Sequence, residues 1–238
     1  MALYVVAVRT TWGQSVDANS LGLWNEPFFA PVRELVPILA GIAAVVVTVV
    51  ALARSRWRDT AFAAGAAGAA MLVSEPLRDV VFTRPYLGDF AYLANSYPSR
   101  HVVVTLALAA LVTRLWPSPR GRRAAEWTSV AATVLVAVAS VATSAHRASD
   151  VVGGVLLVGI FAPVYARGRV PRVRDAALRH PLVFWAVCVV LAASAVFAVQ
   201  QDSDLSSVGL MLLIIVGTGA STVVTLRVAD GVPAAEAG

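Results

Sequence analysis

The sequence has one cysteine and no lysine, since all 19 of its basic residues are arginine. Cys188 lies in an apolar run, where we expect a small buried hydrophobic residue, and a single cysteine excludes a disulfide framework within the chain. Only 14% of the residues are charged, and no basic run is interleaved with aromatic residues, which argues against nucleic-acid binding. Carboxylates, histidines and cysteines do not cluster in threes at ligand spacing, so the sequence implies no metal and no cofactor.

Apolar residues are what the sequence has in excess. They make up 58% of its 238 residues, and the mean hydropathy of +0.75 is too high for an ordinary soluble domain. We therefore predict an all-α fold, a polytopic membrane helix bundle with about six to seven transmembrane helices. The candidate spans are approximately 34–53, 60–80, 101–116, 127–145, 150–166, 182–200 and 207–227.

The spans divide the chain into three segments. Residues 1–33 are predicted to be an interfacial or extracytoplasmic segment, because only eight apolar residues precede Arg9 and about twenty are needed to cross a bilayer. A start that lacks an upstream first helix is the alternative. Residues 34–166 are expected to form a membrane core, and residues 167–238 a cytoplasmic loop, two C-terminal transmembrane helices and a short tail.

Arginines concentrate in every other loop. They occur at 54–58, 114–123 and 167–179, and the positive-inside rule places these loops in the cytoplasm. The same rule places residues 81–100, the turn at 146–150 and the acidic loop with Asp202 and Asp204 on the outer side, together with the N-terminal segment.

Two polar clusters lie at the edges of apolar runs on this outer side. They are the stretch from Arg78 to His101 and the stretch SAHRASD from Ser144 to Asp150. Ionisable groups near a bilayer are costly, so such clusters indicate a functional site. His146 and Asp150 are four residues apart, which on a helix puts them on one face, and the carboxylate can then fix the imidazole tautomer. Alternatively, Asp150 simply caps the start of a helix.

Three pieces of these clusters resemble the signature of the type 2 phosphatidic acid phosphatase family, the integral-membrane lipid phosphate phosphatases. They are Arg84-Pro85, Pro98-Ser99-Arg100-His101 and His146-Arg147-Ala148-Ser149-Asp150. The resemblance implies that His146 attacks phosphorus to form a phosphohistidine, that Asp150 orients it, and that His101 is the general acid. Histidine can serve in both roles when it is suitably held.

The resemblance also implies phosphate contacts from Arg84 and Ser99, and it shows departures. Arg78 takes the place of the lysine that opens the family pattern, one residue out of register, although Asp79 and Glu75 could simply pair with it. Arg100 stands where the family has glycine, and Ser140 where it has a further arginine. We hypothesise that Arg100 supplies the cation missing at Ser140, with Arg147 as another source, because a phosphoryl-transfer transition state needs nearby positive donors.

These features favour a phosphatase-like core in a multi-pass plasma-membrane protein that hydrolyses a lipid phosphomonoester or diphosphate at the outer face. The expected partners are a lipid phosphate or polyprenyl (di)phosphate substrate and membrane lipids, with no nucleic acid. A catalytically impaired membrane protein that binds lipid phosphates or scaffolds a partner is the alternative. A transporter is less well supported, because mid-span charges and a repeat are lacking.

Overall fold

The structure is a computed structural model that describes residues 1–22, 27–90, 94–167 and 204–230. Its helices are α1 (Ala2–Arg9), α2 (Thr11–Ala18), α3 (Phe29–Ala53), α4 (Trp57–Pro76), α5 (Arg100–Leu115), α6 (Pro119–Ala142), α7 (Ala148–Ala166) and α8 (Asp204–Asp230). A π-helical turn, Leu77–Val81, continues α4. These four ranges contain no strand, so the predicted all-helical bundle is confirmed.

Five helical stretches are long and apolar enough to cross a membrane. They are Phe29–Ala53, Trp57–Val81, Gly121–Ala142, Ala148–Ala166 and Gly209–Ala229. The predicted span 182–200 lies outside the described residues, as do Cys188, Asp202 and the arginines from 169 to 179. The predicted polytopic membrane protein is therefore confirmed from the remaining helices.

Helix α5 is the centre of the bundle. It has 16 residues, or about 24 Å at 1.5 Å per residue, which is shorter than the roughly 30 Å of a hydrocarbon core. Most of its side chains are buried, and it contacts α3, α4, α6, α7 and α8. The stretch predicted as a span at 101–116 is therefore the shortest of the six long helices that the structure describes, and the other five pack around it.

The outer helices present apolar faces. On α3 the exposed large residues recur at helical spacing, which gives one apolar stripe away from the bundle: Leu35, Ile38, Leu39, Ile42, Val45, Val46 and Val49. Exposed Trp57 lies at the first residue of α4, where an aromatic ring suits a membrane interface.

The bundle has two polar ends. We call one the arginine end, where Arg114 is buried, donates to the carbonyl oxygen of Tyr165 at 2.9 Å and lies 2.7 Å from Asp59. We call the other the motif end, where α4, with its π-helical turn, and α6 finish and α5 and α7 begin.

Both ends of α6 differ from the predicted span 127–145. Helix α6 begins at Pro119, with Ser118 at its N-cap, because proline is favoured in the first turn of a helix. It ends at Ala142 rather than at 145, because the next residues form a turn in which Ser144 has a φ of 55° and the His146 amide donates to the carbonyl of Ser140.

The N-terminal segment forms two eight-residue helices, neither of which could span a bilayer. Helices α1 and α2 lie very close together: a Cβ at Gly13 would be 1.9 Å from the carbonyl oxygen of Val6, so only glycine permits this approach. Helix α1 also contacts α7. The segment is therefore part of the motif end.

Candidate active site

The motif end brings the pieces of the sequence pattern together. His101 lies in the first turn of α5, and His146 lies in the turn before α7. Their ring centroids are 6.0 Å apart at an interplanar angle of 68°. The two imidazoles are therefore on the same side of the bundle and meet edge to face.

Asp150 is the carboxylate beside His146. Its side chain is fully buried, and its Oδ2 lies 3.7 Å from Nδ1 of His146, slightly beyond a direct hydrogen bond. The same oxygen accepts hydrogen bonds from the Arg147 amide at 2.9 Å and from the Ser96 hydroxyl. Asp150 thus does both things considered from the sequence: it caps the start of α7 and it faces the Nδ1 side of His146.

Arg84 lies behind this pair. Its side chain is 3% exposed, and its Nη2 is 3.3 Å from Oδ2 of Asp17 and 3.6 Å from Oδ1 of Asp150. Its Nε and Nη1 are buried and have no hydrogen-bond partner within the described ranges. Buried donors without partners are costly, so two N–H directions of this cation are available to an anion.

Ser99 is the N-cap of α5. Its amide donates to the backbone oxygen of Asp150 at 2.8 Å, which joins the start of α5 to the start of α7. Its hydroxyl is buried and makes no hydrogen bond to any described residue. A helix N-terminus of this kind suits an anion.

His101 is 30% exposed, and its Nε2 lies 3.5 Å from Oε2 of Glu34 on α3. Its Nδ1 is buried and unbonded as far as the described chain goes. The neighbouring Arg33 pairs with Glu34 and donates to the hydroxyl of Thr143, where α6 ends. A glutamate and an arginine from α3 therefore line the His101 side of the site.

The structure does not bring Arg78 and Arg100 into this cluster. Arg78 is 2.7 Å from Asp79, the pairing that the sequence left open. Arg100 is 59% exposed and lies 2.8 Å from Glu75 on α4. The long side chain of Arg100 starts at the first residue of α5 and extends along the outside of the bundle, away from the two histidines.

Ser140, where the family has an arginine, is fully buried near the end of α6. Its hydroxyl has no hydrogen-bond partner in the described part of the chain, while its carbonyl accepts from the amides of Ala145 and His146. Arg147 is buried at the N-cap of α7, and its Nη2 donates to the carbonyl of Phe90 at 3.3 Å. Arg84 thus lies beside Asp150 and Arg33 beside Glu34, while Arg147 follows His146 directly in sequence.

Sequence reasoning missed three side chains of this site: Asp17, Glu34 and Ser96. Burial, followed by the negative charge of Asp150, raises the pKa of Asp17 from 3.8 to about 6, although its bonds to Ser149 and the charge of Arg84 oppose the shift. Ser96 lies inside the polar stretch from Arg78 to His101 but outside the three motif pieces. Asp17 and Glu34 gave no local signal, because the site residues that they contact, Ser149 and His101, are far away in sequence.

The described residues contain no group of three histidine, cysteine or carboxylate side chains that could hold a metal ion. The reactive groups of the candidate site are therefore the two histidines, the carboxylate of Asp150 behind His146, and the buried Arg84 with its unbonded donors.

Comparison with known families gives one match: residues 60–174 fit the family model of the PAP2 superfamily. This range covers most of α4, all of α5 to α7 and all three motif pieces, and it leaves α1, α2, α3 and α8 outside. Neither the curated proteins nor the solved structures give a significant match. The resemblance drawn from the motifs is confirmed by the family match.

Proposed function

Because residues 60–174 belong to the PAP2 superfamily, we propose that this membrane phosphatase hydrolyses a lipid phosphomonoester or diphosphate at the outer face of the plasma membrane. We further propose that the reaction proceeds through a phosphohistidine on His146. The observation that carries the proposal is the arrangement of His146 between Asp150 and His101, with the free donors of Arg84 behind it.

The first step is a transfer of the phosphoryl group to His146. With Asp150 facing Nδ1, the Nε2 lone pair attacks phosphorus, and the bond from phosphorus to the leaving oxygen breaks. The leaving oxygen, which is an alkoxide from a phosphomonoester or a phosphate oxygen from a diphosphate, takes a proton from His101. Arg84 and the amides at the start of α5 neutralise the oxygens of the transferring group.

The second step releases the phosphate. Water attacks phosphorus, the phosphorus–nitrogen bond breaks, and its electron pair returns to His146. His101, now neutral, takes the proton from the attacking water, which restores the starting state. The products are inorganic phosphate and the dephosphorylated lipid.

Two variants test these roles. His146→Ala should abolish both turnover and a phosphoenzyme, whereas His101→Ala should keep part of its activity on nitrophenyl phosphate, because nitrophenolate leaves without a proton. Phosphate release and trapping of labelled phosphoenzyme measure the two effects. Equal losses of His101→Ala on lipid and nitrophenyl substrates would contradict the acid role. Screening phosphatidate, phosphatidylglycerophosphate, polyprenyl diphosphate and phosphosugar lipids would then identify the substrate class.

The outer location has its own test. The arginine-rich residues 54–58 and 114–123 belong to the arginine end, and positive charge favours the cytoplasmic side. After replacement of Cys188, a cysteine at position 89 should react with a membrane-impermeant reagent in intact cells, and a cysteine at position 120 should not. Labelling at 120 alone would reverse the orientation.

A second function, binding of lipid phosphates without turnover, is favoured by the neutral Ser140 and by Arg100 being turned to Glu75. The loss of one transition-state donor can cost about 100- to 1000-fold in rate. If this reading holds, the purified protein binds phosphate without releasing it from lipids, and Ser140→Arg creates activity. Because Arg100 lies outside the cluster, Arg100→Gly should leave both properties nearly unchanged, contrary to the compensation hypothesis drawn from the sequence.

A further inference from the structure

Asp17 is a buried acid that the motif pattern does not contain and that lies outside the family match. Its Oδ1 accepts from the Ser149 amide at 3.0 Å, and its Oδ2 accepts from the Ser149 hydroxyl at 2.6 Å. The Nη2 of Arg84 is 3.3 Å from the same Oδ2. One carboxylate thus joins the N-terminal segment, the segment that carries Arg84 and the start of α7.

Other residues of the N-terminal segment bind the two neighbours of Arg84 in sequence. Tyr4 donates to the carbonyl of Thr83 at 2.6 Å, and Gln14 donates to the carbonyl of Pro85 at 2.9 Å. The N-terminal segment therefore holds the backbone on both sides of Arg84, and Asp17 holds the guanidinium between them.

The guanidinium needs such a support because of its surroundings. Asp150, the other carboxylate close to it, also faces His146. Without Asp17, the buried cation would be drawn towards Asp150, since an unpaired buried charge is strongly unfavourable. That movement would take Asp150 away from His146 and turn the free Nε and Nη1 donors of Arg84.

We propose that Asp17 is a positioning residue for Arg84: it holds one guanidinium nitrogen so that the remaining donors face the substrate phosphate. This inference rests on the proposed phosphate site, and it assigns a role in that site to the N-terminal segment. Asp17 itself touches neither the phosphate nor the reacting atoms.

The test is the pH dependence of kcat/KM for wild type and Asp17→Asn. The carboxyl of Asp17, with its pKa raised by burial to about 6, is ionised at pH 8 and protonated at pH 5, where it resembles an asparagine. We expect Asp17→Asn to lower kcat/KM about 10-fold at pH 8, which corresponds to the loss of one charge-assisted hydrogen bond. Most of this loss should appear as a higher KM, because Arg84 holds the phosphate both before and during the reaction. The two proteins should become nearly equal at pH 5. Histidine and substrate ionisations cancel in the ratio.

Two further variants separate positioning from mere structural support. Asp17→Glu keeps the charge and should recover part of the activity at pH 8. Ser20→Ala is the matched control, because the Ser20 hydroxyl accepts from the Ala148 amide at 2.9 Å and so also ties the N-terminal segment to α7 without touching Arg84. Its effect on kcat/KM should be small and independent of pH.

A ratio for Asp17→Asn that is constant between pH 5 and 8, or equal to that of Ser20→Ala, would overturn the proposal. If the wild type shows no turnover, the proposed catalysis fails, and the dissociation constant of inorganic phosphate is then measured over the same pH range. If the dissociation constants of wild type and Asp17→Asn become nearly equal at pH 5, Asp17 positions a phosphate-binding arginine. A pH-independent loss, or no loss, would reject it.

Discussion

Replacing Gly153 by alanine should damage the site through Tyr97, which precedes Pro98 and Ser99. A Cβ at Gly153 would lie 2.4 Å from Cε2 and 2.6 Å from Cζ of Tyr97, whereas ordinary carbon contacts are about 3.5–4.0 Å. The ring would have to move by about 1 Å. It cannot move easily, because it is 6% exposed and packs against Tyr4 and Phe82 at centroid distances of 5.6 and 5.2 Å.

Gly68 on α4 is the matched control, because a Cβ there meets no described atom within 4 Å. Both substitutions give a helix about 0.5–1 kcal/mol of intrinsic propensity, so their difference isolates the cost of overpacking. That cost is typically about 1–3 kcal/mol. We therefore expect Gly153→Ala to have a lower melting temperature than Gly68→Ala. Tryptophan fluorescence of the two proteins in detergent measures the difference.

Activity should fall as well, since a displacement of about 1 Å near the reacting groups can cost on the order of 100-fold in rate. Gly68→Ala should keep wild-type turnover. The reasoning would be refuted if Gly153→Ala and Gly68→Ala had the same melting temperature and the same turnover.

Three other variants probe the network. Ser96→Ala removes a donor to Asp150 and should lower kcat by roughly 10-fold, with a smaller change in KM; unchanged kinetics would remove Ser96 from the site. Glu34→Gln should slow lipid substrates more than nitrophenyl phosphate, because Glu34 faces the nitrogen of His101; equal slowing would argue for a structural role. The pKa of Asp17 is raised from 3.8 to about 6, so the folded protein holds this proton more tightly than the unfolded chain, and stability falls by about 3 kcal/mol as pH rises through that window. The melting temperature of wild type relative to Asp17→Asn should accordingly be higher at pH 4.5 than at pH 7, and a constant difference would contradict the raised pKa.

Hydropathy alone predicted most of the described bundle, because a chain in lipid must satisfy its backbone within helices. Five of the predicted spans overlap long apolar helices over most of their length. The turn after Ala142 was missed because it is as rich in small residues as the helix before it, and a left-handed residue at Ser144 leaves no trace in periodicity. The central position of α5 also depends on contacts with five other helices.

The candidate site was predictable only where its chemistry is local in sequence. His146 and Asp150 are only four residues apart, so the turn before α7 brings them together even though His146 precedes the helix, and Ser99 and His101 follow one proline. Asp17 contacts Ser149 across 132 residues, and no spacing rule reaches that far. The partners that hold the motif residues therefore came from the tertiary structure.

At Arg100, closeness in sequence suggested a contact that the structure does not show. It precedes His101 directly, which suggested that its guanidinium reaches the same phosphate. On a helix, however, consecutive side chains do not share a face, and residues three and four apart do. His101 turns towards His146 and Glu34, so Arg100 must point elsewhere, and it meets Glu75. A cation that replaces the one missing at Ser140 therefore has to come from another element. Two candidates among the described residues are Arg33 on α3, which donates to Thr143 just after α6, and Arg147 at the start of α7.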